Sequence, residues 1–205
     1  MSTEVRRSAD RFTTTRPGST TRHSFSFGHH YDPSNVSFGP IVAVNDEMLA
    51  PGAGFDEHPH AGLVIVTYVV TGSLAHQGIS SRAVSAGQCA VLRCGTGVIH
   101  AERNAGPGEL RFVQTWLTST STEQSYDVLD VAELAEIGCV DAARVVAGRL
   151  PAGSSVEVTG HVFVATGSVT AEGTTLVDGD SLRARELVRL QAVADTQLVL
   201  VTWAG

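Results

Sequence analysis

The sequence contains no lysine, so its 14 basic residues are all arginine. A Walker-A phosphate loop requires a lysine, and so does Schiff-base or pyridoxal chemistry. Those enzyme classes are therefore excluded. Charged residues are also scarce, at 17%, and the formal charge of −7 disfavours direct binding to nucleic acid.

Long apolar segments are absent as well. The longest largely apolar run, residues 63–70, is too short for a membrane-spanning helix, which needs about 20 residues. No apolar stretch follows the N-terminal arginines, so we expect neither a cleavable secretion signal nor a membrane partner. The odd set of three cysteines (Cys89, Cys94 and Cys139) has no C-x-x-C pair, which favours reduced thiols in the cytoplasm.

Short runs rich in Val, Ile, Thr and Tyr fill most of the chain. Gly, Asn and Asp turns separate them about every 8 to 12 residues, a spacing typical of all-β sandwiches and barrels. One helix is plausible, at residues 130–137, because Val131, Leu134 and Ile137 would share a helical face. The composition therefore predicts an all-β protein with one short helix.

An internal repeat indicates two similar units. Residues 67–74 (TYVVTGSL) resemble residues 162–169 (VFVATGSV), and a second glycine turn follows each copy. The polar stretch after residue 117 is typical of a linker. We therefore predict an N-terminal domain at residues 1–118, a linker with a short helix at 119–140, and a shortened C-terminal domain at 141–205.

Two pairs of metal-ligand residues stand at strand spacing. His58 and His60 form one pair, and His100 and Glu102 form the other. Residues i and i+2 of a strand point to the same face, so the four donors converge if the two strands are neighbours in a barrel. Three imidazoles and a carboxylate suit iron, nickel, manganese, copper or zinc and leave coordination positions open.

The segment around the first pair, GFDEHPHAGLVIVTYVVTG, resembles the N-terminal cupin motif of the pirin family. The segment CGTGVIHAE at residues 94–102 resembles the second motif of that family, and residues 23–33 resemble its N-terminal segment. The resemblance covers roughly residues 22–117. It implies two cupin barrels (a bicupin), with the C-terminal half as a shortened second cupin.

The resemblance also implies the metal ligands His58, His60, His100 and Glu102, with one divalent ion per chain, iron first among the candidates. The residues that align with them in the second copy cannot supply a normal ligand set; they are Gly153, Ser155, Ala192 and Ala194. Several polar residues that are frequent in the family are replaced here, by Ala61, Val64 and Gln88 among others. Substrate preference can therefore differ from that of better-known members.

Some bacterial pirins resemble quercetinases, which cleave a flavonol with dioxygen and release carbon monoxide. By that resemblance we expect a dioxygenase with a small aromatic substrate, in which Glu102 is the catalytic base. We also expect the protein to be a cytoplasmic monomer. One alternative is a non-catalytic, metal-dependent regulator that binds a protein partner. Another is an enzyme specific to one pathway of aromatic natural products.

Four further residues have open roles at this level. His29 and His30 lie in a segment that covers the cleft in relatives, so either can contact substrate. His76 either lines the cleft or is a solvent-facing strand residue, the interpretation that we favour. Cys94 lies six residues before His100, and we expect a buried thiol there rather than a group near the metal.

Overall fold

A computed structural model describes residues 3–203, and their regular secondary structure is almost entirely β-strand, as the composition predicts. A short 3-10 turn, Ser8–Asp10, interrupts the N-terminal strands. The strands are β1 Thr3–Arg6, β2 Phe12–Arg16, β3 Ser19–His23, β4 Ile41–Leu49, β5 Gly54–His60, β6 Leu63–Thr71, β7 Ser73–Gln77, β8 Arg82–Ser85, β9 Gln88–Cys94, β10 Val98–Asn104, β11 Leu110–Thr118, β12 Gln124–Asp130, β13 Ala135–Val140, β14 Ala143–Leu150, β15 Ser155–Thr166, β16 Ser168–Ala171, β17 Thr174–Val177, β18 Ser181–Ala192 and β19 Thr196–Trp203.

The chain forms two units. One comprises Phe12–Asp130, and the other joins the N-terminal residues up to Arg11 to the chain from Val131 onward. The first unit has a seven-stranded sheet in the order β12-β9-β6-β11-β4-β3-β2 and a four-stranded sheet in the order β5-β10-β7-β8. The second unit has one sheet in the order β13-β14-β19-β15-β18-β16-β17, and β1 pairs with β18.

The two sheets of the first unit share one apolar core. Ile65 and Phe112 enter it from the seven-stranded sheet, and Leu74 and Val84 enter it from the four-stranded sheet. Each of these side chains is at most 1% exposed. Burial of apolar side chains contributes roughly 1.5–3 kcal/mol each, so this core holds the two sheets together.

Strands occupy the region where the sequence predicts a linker and a helix. The prediction of a helix at residues 130–137 is wrong, because β12 ends at Asp130 and β13 begins at Ala135. All seven residues of β12 pair with β9, and β13 pairs with β14. A helix of two turns is marginal on its own. Strand β9 of the first unit and strand β14 of the second unit offer this segment ladders of backbone hydrogen bonds instead.

The ends of the two units also differ from the predicted boundaries. Since β12 completes the seven-stranded sheet, the first unit extends to Asp130 rather than to residue 118. The first residues of the chain belong to the other unit, where Thr3 pairs with Ala184 and Arg6 with Ser181. The Arg7 guanidinium binds the buried Asp180 carboxylate there at 2.8 Å. No helix in the described part of the chain is long and apolar enough to cross a membrane.

Candidate metal centre

The antiparallel pair β5 and β10 brings three histidines together. His100 lies opposite His58, and Val98 lies opposite His60. The ring of His100 is centred 4.4 Å from that of His58 and 5.1 Å from that of His60. One nitrogen of each ring lies within 4.8 Å of the others. These three residues, called the histidine triad below, can hold a metal ion.

Hydrogen bonding leaves nitrogen lone pairs of the triad available. Nδ1 of His58 lies 2.7 Å from the carbonyl oxygen of Asp56, which only accepts, so Nδ1 donates and Nε2 keeps its lone pair. Nε2 of His60 and both ring nitrogens of His100 are buried and lack a hydrogen-bond partner among the described residues. Buried polar atoms are nearly always paired. The orphaned nitrogens therefore fit a metal ion.

Charge also favours ligation. Burial, together with the neighbouring imidazoles, lowers the pKa of His100 to about 3 and that of His60 to about 4. Both rings are therefore neutral near pH 7, and a metal does not have to displace a proton from them.

Glu102 lies beside the triad rather than within it. Within residues 3–203, the donor atoms that lie within 4.8 Å of one another come from the three histidines and not from Glu102. A register shift between His100 and Glu102 interrupts the pairing with β5. The Gln114 amide donates to both carboxyl oxygens of Glu102, at 3.0 and 3.1 Å. Burial raises the pKa of Glu102 to about 7.

Gln114 and Trp116 are functional candidates that the sequence reasoning missed. Both lie on β11, two residues apart, and Trp116 Nε1 donates to Gln114 Oε1 at 2.8 Å. That bond fixes the Gln114 amide so that its NH2 group faces Glu102. The i, i+2 spacing was visible, but nothing in the sequence showed that β11 faces β10 across the barrel.

A cavity of about 440 Å³ opens beside the triad, within the first unit. This volume is ample for a small organic ligand. The four-stranded sheet contributes His58 and Glu102 to its wall, together with Gly54, Phe55 and Asp56 of β5, and the seven-stranded sheet contributes most of the rest. The other lining residues are Thr14, Arg16, Ser19, Thr21, His23, Phe27, Gly28, His29, Asn45, Glu47, Gln114 and Trp116.

The residues with open roles separate in the structure. His29 lines the cavity, whereas His30 stacks on Phe12 with ring centroids 5.1 Å apart. His76 is 1% exposed, so the solvent-facing interpretation is wrong; its ring stacks on Tyr126 at 3.7 Å. Cys94 packs in the apolar core, and burial raises its thiol pKa to about 11.

Glu47 is a second buried carboxyl in this cavity, and the sequence reasoning did not single it out. It is 4% exposed, and the Thr21 hydroxyl donates to it. Burial is the main cause that raises its pKa to about 8, and the charges of Glu102 and Asp46 add to the rise. Glu47 ends the polar run Asn45-Asp46-Glu47 within the otherwise apolar strand β4, and only the alternation of Asn45 and Glu47 on that strand could have revealed that both share one face.

We expect Glu47→Gln to stabilise the metal-free protein, increasingly as pH rises. The folded-state pKa of about 8 lies above the ordinary 4.5, so wild-type stability is fully present below pH 4.5 and falls as pH rises towards 8. Glutamine does not ionise. Between pH 5 and pH 8 the gain in unfolding free energy should grow by on the order of 3 kcal/mol, as urea titrations would measure. A gain independent of pH would contradict the prediction.

Close backbone packing at Gly54 sets the approach of β5 to β10. A Cβ at this position would overlap the carbonyl oxygen of Glu102 and lie 2.7 Å from Cα of Arg103. We therefore expect Gly54→Ala to lower the unfolding free energy by on the order of 2 kcal/mol and to weaken metal binding, because the two strands must separate. Gly108→Ala is the matched control, since its Cβ would meet nothing within 4 Å. Equal urea midpoints for the two variants would refute this role of Gly54.

Comparisons with known proteins agree with this geometry. The family described as pirin matches residues 4–117. A Mycobacterium tuberculosis protein that is provisionally named a quercetin 2,3-dioxygenase is 37% identical over 208 residues, which cover 88% of this chain and 85% of that protein.

The chain belongs to the pirin family.

Other relatives of this pirin support the fold and, over part of the chain, the family. An Escherichia coli protein named quercetin 2,3-dioxygenase is 37% identical over 98 residues, 46% of this chain and 42% of that protein. The crystal structure of the bacterial pirin YhhW from Escherichia coli in complex with nickel(II) superposes with a TM-score of 0.87 at 23% identity and covers 98% of each chain. The expectation of an all-β, two-cupin fold is thereby confirmed.

Proposed function

We propose that this pirin is a metal-dependent dioxygenase that acts on a flavonol or a related aromatic enol. One observation carries the proposal: buried histidine nitrogens without protein partners among the described residues lie beside a cavity of about 440 Å³ that is large enough for such a ligand. The relatives named quercetin 2,3-dioxygenase support the substrate class. An open site with a carboxyl beside it suits catalysis better than storage of a metal.

The proposed ligands are His58, His60, His100 and Glu102, which hold one divalent ion per chain. We propose iron, because imidazole and carboxylate ligands suit it and dioxygen chemistry uses a redox-active metal. Nickel, manganese, copper and zinc are the alternatives that elemental analysis would distinguish. The relative solved with nickel(II) shows that this fold can take a divalent ion.

When bound, the metal would lower the pKa of the enol hydroxyl of the substrate, as metals do for bound water. The Glu102 carboxylate accepts that proton, and Gln114 holds the carboxylate in place through its two hydrogen bonds. The heterocycle is cleaved, both atoms of dioxygen enter the products, and one ring carbon leaves as carbon monoxide. The substrate itself supplies the four electrons that reduce dioxygen, so no external reductant is consumed, and the proton returns to the product.

The test begins with metal content and continues with oxygen uptake. The purified protein is analysed for metals, reconstituted with each candidate ion, and supplied with a panel of flavonols and simpler aromatic enols. We expect oxygen uptake matched by carbon monoxide release. If no compound drives oxygen uptake by the metal-loaded protein, the dioxygenase proposal is wrong, and a metal-dependent regulator that binds a protein partner becomes the better-supported function.

We also propose a cytoplasmic monomer, which fractionation and size-exclusion chromatography would test.

A further inference from the structure

The wall of the cavity formed by β3 and β4 is polar, although most of the surrounding barrel is apolar. Asn45 and Glu47 point into the cavity from β4, and Thr21 and His23 lie opposite them on β3. Nδ1 of His23 lies 2.9 Å from Asn45 Oδ1. This wall belongs to the seven-stranded sheet, whereas the histidine triad belongs to the four-stranded sheet.

Glu47 is a member of this wall with hydrogen-bonding capacity to spare. In the described part of the chain, the Thr21 hydroxyl, which donates to Oε2, is its one hydrogen-bond partner. A buried carboxyl with so little support costs stability, and an apolar side chain would pack there without that cost. The core of the unit therefore does not explain its presence.

The protonation state of Glu47 suits hydrogen-bond donation. Burial and the charges of Glu102 and Asp46 raise its pKa to about 8, although the Arg16 guanidinium opposes the rise. Near pH 7 the carboxyl is therefore mostly neutral, with one O–H donor, whereas a carboxylate could only accept.

We infer that Glu47 is a substrate-binding group that donates a hydrogen bond to a ligand oxygen remote from the histidine triad. The substrate class then narrows to aromatic enols that carry a further oxygen function away from the enol, such as polyhydroxylated flavonols. This inference rests on the proposed function, because it takes the enol of the same ligand to lie at the triad.

Ligand binding under argon tests the inference without turnover. The metal-loaded wild type, Glu47→Leu and Glu47→Gln are titrated with quercetin and with 3-hydroxyflavone, and the change in flavonol absorbance gives each Kd. The second flavonol keeps the enol and carbonyl oxygens but lacks the other ring hydroxyls. Glu47→Gln is the matched control, because an amide keeps a donor and nearly the same shape.

We expect Glu47→Leu to raise the Kd for quercetin about tenfold, the upper range for one hydrogen bond, and the Kd for 3-hydroxyflavone less than about twofold. Glu47→Gln should stay within about threefold of wild type for both ligands. In infrared difference spectra, quercetin should shift a carboxylic C=O band that Glu47→Gln lacks. This second readout does not depend on how Glu47→Leu folds.

The two possible failures are distinguishable. If the wild type binds both flavonols and Glu47→Leu binds them as well, or weakens both equally, Glu47 does not recognise the remote oxygen and only this inference fails. An infrared band that quercetin leaves unshifted would overturn the inference in the same way. If the metal-loaded wild type binds neither flavonol, the proposed function fails, and this inference fails with it.

Discussion

Replacement of His60 by alanine is expected to remove most of the bound metal, with a loss of at least about 100-fold in metal affinity. Mutation of residues that only orient metal ligands already lowers metal affinity by about 10- to 100-fold. His60 contributes one of the three nitrogens that lie within 4.8 Å of one another. Its removal leaves three of the four proposed ligands, His58, His100 and Glu102, with a gap in the shell. Turnover should fall with the metal content.

His60 is half-buried, so the variant should fold. The check is metal content after reconstitution and dialysis, together with the melting temperature with and without metal. Because a ligand stabilises the state that binds it, metal should raise the melting temperature of the wild type and not that of His60→Ala. His29→Ala is the control, since His29 is exposed on the cavity wall outside the triad and should keep about wild-type metal. One equivalent of metal in His60→Ala would contradict the proposed ligand set, and two equivalents in the wild type would contradict a single site.

Glu102→Gln should separate metal binding from turnover. The three histidines remain, so we expect much of the metal to stay bound. Turnover should nevertheless fall at least about 100-fold, the low end for removal of a general base. The amide can still accept one hydrogen bond from Gln114, which limits any structural loss. A glutamine side chain cannot take the enol proton. Among the described residues, Gln114 forms no hydrogen bond with any acidic side chain other than Glu102.

The measurement compares metal content with oxygen consumption in Glu102→Gln, His60→Ala and Glu57→Gln. Glu57 is the matched control, because it makes the same carboxylate-to-amide change on β5, is exposed, and does not line the cavity. It should keep turnover within about twofold of wild type, as surface substitutions usually do. If metal-loaded Glu102→Gln turns over at nearly the wild-type rate, Glu102 is not the base. If it loses the metal as His60→Ala does, its main role is ligation.

The fold was predictable where the strand pattern was strong. The longest apolar run, residues 63–70, lies within β6. The segment at residues 130–137 was misjudged because its spacing suits either structure over so short a stretch. Pairing of β12 with β9 and of β13 with β14 decided it. The position of β1 on β18 could not be predicted, because that contact joins residues far apart in the chain.

The candidate site was predictable to the extent that it depends on strand alternation. The pairs His58/His60 and His100/Glu102 were visible as i, i+2 donors, and their meeting required only that β5 and β10 pair. The division within the set was not visible. The three histidines converge, whereas Glu102 lies beside them and accepts a hydrogen bond from Gln114, because the register shifts between His100 and Glu102.

The amino-acid sequence by itself determined the strand-rich architecture, the two-unit repeat, and the histidines and carboxylate on which the proposed chemistry rests. The strand pattern and the donor pairs are local, since they depend on residue type and on short spacings along the chain, and the repeat needs only a comparison of two segments of the sequence. Only the tertiary structure decided that Gln114 and Trp116 support Glu102, and that Glu47 faces the same cavity from the opposite sheet. The physical reason is that strand alternation shows which residues share a face, whereas burial, pKa and hydrogen-bond partners depend on which strands meet across the barrel.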